Sequence, residues 1–108
     1  MIDSMYTPTD SELDDRVETG MNFLDANYGE GWVNRIDPNS LDMGDPRSCV
    51  GAQLEGEFSL FQEKHGMWGH AAVIRGLDVW AHNVSYLDDL TTKWQDAIRA
   101  RQAVLAAS

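Results

Sequence analysis

Cysteine is nearly absent from this chain. Cys49 stands alone, so no internal disulfide can form. Basic residues are scarce as well: eight Lys and Arg face eighteen Asp and Glu, for a formal charge of −10. Such a balance opposes binding to a phosphate backbone or an anionic membrane surface. No apolar run reaches the length of a signal peptide or a membrane span, which sets the cytoplasm as the expected location. Asn83-Val84-Ser85 fits a glycosylation pattern, read here as chance because no secretion signal accompanies it. No Gly-x-Ser-x-Gly, phosphate-binding loop or dinucleotide fingerprint occurs.

What is present is enough for one modest core. A chain of 108 residues that is 43% apolar is too hydrophobic for a disordered segment and fits a single domain, 1–108, with residues 1–8 as a short arm. Charge is uneven along it. Residues 1–47 hold eleven acids against three bases; residues 48–108 hold seven against five.

Helical spacing dominates. Thr9-Asp10-Ser11-Glu12 forms a capping box, and Leu13, Val17, Met21, Leu24 and Tyr28 follow at helical intervals. The first helix is expected over 10–27, ended by Gly29 and Gly31. Trp32 and Ile36 suggest a short helical turn. Asp37-Pro38 and Asp45-Pro46 each read as a helix start, since Asp can accept from free N–H groups and Pro loses nothing at the first position. The second of these helices carries Cys49, Val50, Leu54, Phe58 and Phe61 and should stop by Gly66. Residues 67–82 are read as helix with an internal Gly76, the other option being short strands at Val73-Ile74 and Val79-Trp80. Ser85 to Asp88 form a second capping box, opening a long helix over 86–106 with Leu87, Leu90, Trp94, Ile98 and Leu105 on one stripe. Asp89 with Lys93 and Asp96 with Arg99 are expected as pairs along it. The fold class is therefore all-α: a compact single-domain bundle, its long C-terminal helix packed on the first helix and on the helix after Pro46.

Leu24-Asp25, Gly31-Trp32, Ile36-Asp37, Leu41-Asp42-Met43, Cys49-Val50, Gln53-Leu54 and Gly56 succeed one another in a telling order. The series resembles a family of small proteins of unassigned function from high-GC Gram-positive bacteria and their phages. Relatives close with a Y-x-L-x-W-x-I segment, which Tyr86, Leu87, Leu90, Trp94 and Ile98 match. The resemblance spans most of residues 20–101. It implies a phage-type accessory protein and carries no catalytic residue. The chain departs from the pattern at Gly51-Ala52 and Glu55, and 62–84 has no counterpart in it.

Candidate chemistry is thin. His65, His70, His82 and Cys49 do not have zinc-ligand spacing, so no metal or cofactor is expected. Cys49 in a first helical turn could be activated, but its neighbours Val50 and Leu54 point it to the core. Glu55 with Glu57, and Asp14 with Asp15, are adjacent acids of the kind any acidic surface produces. No catalytic residue is therefore assigned. Asp10, Asp14 and Glu18 recur at i, i+4 and i+8, and Asp25 returns seven residues later. Like charges so spaced work slightly against the helix, which makes the row a candidate binding face. Trp32 and Trp94 are placed in the core. Trp68 and Trp80 bracket the unmatched segment and are the aromatic candidates for an interface.

The expected function is a non-enzymatic interaction protein that binds and modulates a host protein with a basic surface. Nucleic acid and membrane are not expected partners. Three alternatives stay open: a nucleic-acid mimic that blocks a DNA- or RNA-binding protein, a small enzyme using Cys49 or the histidines, and a homo-oligomer built through the C-terminal helix.

Overall fold

The computed structural model describes residues 8–79 and 85–107. The arm up to Thr7, Trp80, His82 and most of the glycosylation pattern lie outside the described residues. All regular structure among those residues is helical, as the sequence predicts.

Helix α1 runs Asp10–Tyr28. Its capping box is complete: Thr9 Oγ1 accepts from the Glu12 N–H at 3.2 Å, and the Thr9 N–H donates to Glu12 Oε1 at 2.9 Å. Leu13, Val17, Gly20, Met21 and Leu24 form its buried face. Gly29 ends it at φ 78°, a conformation that costs glycine little. The turn around Trp32 is a 3-10 helix, Glu30–Arg35, burying Trp32 and Val33.

Neither Asp-Pro pair starts a helix. Each aspartate instead closes an isolated turn. Asp37 Oδ1 accepts from the Asn39 N–H at 3.0 Å, and Asp45 Oδ1 from the Arg47 N–H at 2.9 Å. The same donors are satisfied as in a helix start, but Asn39-Ser40 and Ser48-Cys49 are weak helix formers and neither turn continues as a helix. Gln53 ties this loop together. Its Oε1 accepts from the Asp37 N–H at 2.7 Å, while its Nε2 donates to the carbonyls of Asp37 and Ser48.

The helix expected after Pro46 is two helices. Helix α2 spans Val50–Glu55 and α3 spans Phe58–His65, folded on each other around Gly56 at φ 100°. Gly51 permits the close approach, because a Cβ there would lie 2.8 Å from the Phe61 ring. Gly66 stops α3 as expected. Residues 70–73 form only one helical turn, α4 (His70–Val73), where a longer helix is predicted. Gly69 and Gly76, at φ 51° and 65°, break the helix on either side.

Helix α5 covers Leu87–Ala106. The capping box expected at Ser85 does not form; the cap position belongs to Tyr86, which makes no side-chain capping bond. Its ring is buried, and its hydroxyl oxygen accepts from Arg16 Nη1 at 3.1 Å. Burial of the ring thus sets where the helix begins. The pairs expected along α5 give way to bonds with other elements: Lys93 reaches α1, and Arg99 donates to Asn39 Oδ1 at 2.8 Å.

Residues 14, 20 and 25 of α1 meet 93, 94 and 101 of α5 in the same order, so the two helices run parallel. Gly20 makes this possible. A Cβ at that position would stand 2.2 Å from the Arg75 carbonyl oxygen and 2.8 Å from the Trp94 ring. Trp94 is fully buried and donates its Nε1–H to the Gly76 carbonyl at 2.7 Å. The other flank of α5 is covered by the 3-10 helix and the 37–43 loop rather than by the helix after Pro46. Trp32 and Trp94 meet edge to face at 6.5 Å, Gln102 donates to the Val33 and Ile36 carbonyls, and Thr91 Oγ1 accepts from the Met43 N–H.

Candidate functional site

The acidic row on α1 is real as a row, but its members have different fates. Asp10, Asp14 and Glu18 face solvent, with the Asp10 side chain 86% exposed. Lys93 of α5 leans across to them, 3.0 Å from Asp14 Oδ1 and 4.0 Å from Asp10 Oδ1. The hydrogen bond to Asp14, helped by the nearby acids, raises the Lys93 ammonium above its ordinary value. Asp25 leaves the solvent face. Arg101 grips it with a fork at 2.9 and 3.2 Å, and the Trp32 indole N–H donates to it at 2.8 Å. Burial pushes the Asp25 carboxyl up, but those donors outweigh it and hold the group below its usual value. Asp25 is thus a structural tie between α1, the 3-10 helix and α5.

The two ion pairs, Asp14–Lys93 and Asp25–Arg101, stand as posts at either end of a groove of about 510 Å³ between α1 and α5. Val17, Met21 and Ala97 form its apolar floor; Glu18, Asn22 and Asp96 stand along its rim. Helical geometry explains the grouping. Residues 14, 18 and 22 recur on one side of α1, as do 93, 97 and 101 on α5, and parallel packing sets the two sets face to face.

Trp68 lies in the turn between α3 and α4, half exposed at 54%, and does not line the groove. The acidic row and Trp68 are therefore separate surfaces. Trp80 lies outside the described residues.

Sequence reasoning misses one polar junction. Tyr28, Glu55 and His65 are the last residues of α1, α2 and α3, and their side chains converge. The Tyr28 hydroxyl donates to Glu55 Oε2 at 2.5 Å. A phenol has one proton to give, so His65 Nε2, 2.7 Å away, must be the donor to the Tyr28 oxygen. Lys64 Nζ pairs with the same Glu55 oxygen at 2.9 Å. Lys64 and Arg35 both lie against the Tyr28 ring, and Phe23 and Phe61 pack on His65. Burial, then the bond to Glu55, pushes the Tyr28 hydroxyl upward. Glu55 is held below the usual carboxylate value by Tyr28 and Lys64. His65 is lowered by burial and by Lys64. The available signal was a repeat: each of the three residues precedes a glycine of positive φ, Gly29, Gly56 and Gly66.

Cys49 sits in the core, and burial pushes its thiol up even though the N–H groups of Gly51 and Ala52 pull the other way. Burial therefore overrides the activation that a first helical turn would offer. Glu55 and Glu57 part company: Glu55 is held in the junction, while Glu57 is exposed at the start of α3. Among the described residues no three His, Cys, Asp or Glu side chains gather closely enough to hold a metal. No helix among them is long and apolar enough to cross a membrane. Comparison with protein-family models, with curated proteins and with solved structures finds no match for this chain.

Proposed function

We propose that this chain is a non-enzymatic interaction protein that binds and modulates a host protein through that protein's basic surface. The observation that carries the reading is the exposed acidic face of α1, where Asp10, Asp14, Asp15 and Glu18 project from the more acidic half of the chain. A surface of this sign steers cationic partners and speeds encounter with them. The motif series from Leu24 to Gly56 supports a phage-type accessory origin and, with it, action in the cytoplasm of the host.

Two features favour this over the alternatives. A nucleic-acid mimic needs an ordered row of free carboxylates, yet Lys93 engages Asp14 and Arg101 engages Asp25. An enzyme using Cys49 needs a thiolate, and burial disfavours that form. Self-association through α5 would exploit its exposed end, where Val104 is 63% open, but must bring two chains of charge −10 together.

The test is affinity capture from the natural host, with partners identified by mass spectrometry. Capture should weaken steeply as salt rises. The triple substitution Asp10→Lys, Asp14→Lys, Glu18→Lys should abolish it while the circular dichroism spectrum stays helical. Undiminished capture by a folded triple variant would refute the reading.

A further inference from the structure

We infer that the groove between α1 and α5 seats a basic helix of the partner protein, whose arginine or lysine head groups meet Glu18 and Asp96 while their stems lie on Val17, Met21 and Ala97. The inference rests on the proposed function and narrows it to one surface and one kind of segment.

Charge complementarity picks the occupant. Both cations in the groove are already committed, Lys93 to Asp14 and Arg101 to Asp25. Glu18 and Asp96 are exposed, and among the described residues neither has an ion-pair or hydrogen-bond partner. The centre of the groove therefore offers two unmatched carboxylates between two matched pairs. A cation placed there meets two carboxylates whose cationic neighbours are already paired elsewhere. A carboxylate or phosphate placed there would face repulsion.

The floor narrows the choice further. Val17 and Met21 are only 4% and 8% exposed, so the apolar contact available is shallow. It leaves an aromatic anchor little apolar surface to cover. It suits the methylene stem of a lysine or arginine, which lies along apolar surface while its head reaches a charge at the edge. The shape then selects a helix. A valley between two parallel helices accepts a third in the manner of a bundle, and no sheet edge exists among the described residues to pair with an extended strand. Glu18 stands on α1 and Asp96 on α5, so cations along one face of a helix lying in the groove can meet a carboxylate on either rim. A second copy of this chain is a poor occupant, since each copy carries −10.

The inference is tested on the full chain, labelled with nitrogen-15 and titrated with a synthetic amidated 18-residue helical peptide of alanine and leucine with arginines on one face. Amide shifts should concentrate at residues 14–22 and 93–101. The double variant Glu18→Gln, Asp96→Asn should weaken peptide binding roughly tenfold, and the control Glu63→Gln, Asp88→Asn, on exposed acids elsewhere, should leave it unchanged. A peptide of the same composition with its arginines dispersed around the helix should bind more weakly. Shifts spread over the whole acidic surface, equal losses in both double variants, or equal binding of the dispersed peptide would each overturn the groove assignment. Host capture separates this from the broader reading. If the triple lysine variant loses the partner but Glu18→Gln, Asp96→Asn keeps it, the interaction reading stands and the groove fails. If the triple variant keeps the partner, the broader reading fails, whatever the peptide does.

Discussion

The groove between α1 and α5 and the junction at Tyr28, Glu55 and His65 are both built from ionisable side chains, and they differ in one respect. At the junction each of the three is bonded to another: Tyr28 gives to Glu55, His65 gives to Tyr28, and Lys64 closes the set. In the groove the end positions are matched, but Glu18 and Asp96 in the middle are not. A satisfied polar network fixes the elements that supply it, whereas unmatched exposed charge adds little to stability and remains available to a partner. The contrast separates a place that holds the fold from the place we propose as a binding surface.

The sharpest way to break the groove side is at its foundation. Gly20→Val should cost about 3 kcal/mol or more in urea unfolding, because the added methyls have no room beside the Arg75 carbonyl and Trp94. A milder loss would mean that α1 and α5 can separate without disturbing the core. At the junction, Tyr28→Phe should cost roughly 1–2 kcal/mol, since it strips Glu55 and His65 of a shared partner in a half-buried setting.

The junction should also respond to pH in a defined direction. His65 binds its proton less readily in the folded state than in the unfolded one, so stability should fall as pH drops below the ordinary histidine value of about 6.5. Urea midpoints at pH 7 and 5 should differ less for His65→Gln than for the parent chain, and equal differences would contradict this. Glu55 and Asp25, both held low, contribute stability above their ordinary values and lose it as pH falls further, in a separate, more acidic step. Tyr28 acts at the other end. Its raised value means that stability declines once pH passes about 10, where the unfolded phenol ionises first.

The smallest effect should come from the groove's centre. Glu18→Gln with Asp96→Asn should shift unfolding free energy by less than about 0.5 kcal/mol. A larger loss would show that these carboxylates serve the fold, which would erase the distinction between the two regions.

How far the sequence reveals these regions depends on distance along the chain. The capping box at Thr9 was legible because both partners lie within one turn, and the stripes of α1 and α5 follow from periodicity alone. The Asp-Pro turns were misread because an aspartate satisfies the same N–H groups whether or not a helix continues. Periodicity groups Asp25 with the acidic row of α1, but Arg101, 76 residues away, takes it out of that row. The junction escaped for the same reason: its bonds join positions 27 and 37 apart, and periodicity does not report such pairings. Gln53 braces a loop from within α2 through bonds to Asp37, 16 residues away, and these are equally invisible to periodicity.

The parallel course of α1 and α5 carries a consequence for how the chain acquires its structure. Two adjacent helices can run in the same direction only if the chain between them doubles back to the start of the first. Hairpins such as α2 with α3 close short loops and can form early, but the seam of Gly20 against Trp94 must wait for a long closure. During synthesis α1 therefore emerges well before the partner that completes its packing. Its apolar face stays without its final partner until α5 leaves the ribosome, and its row of repelling carboxylates helps keep that waiting surface soluble.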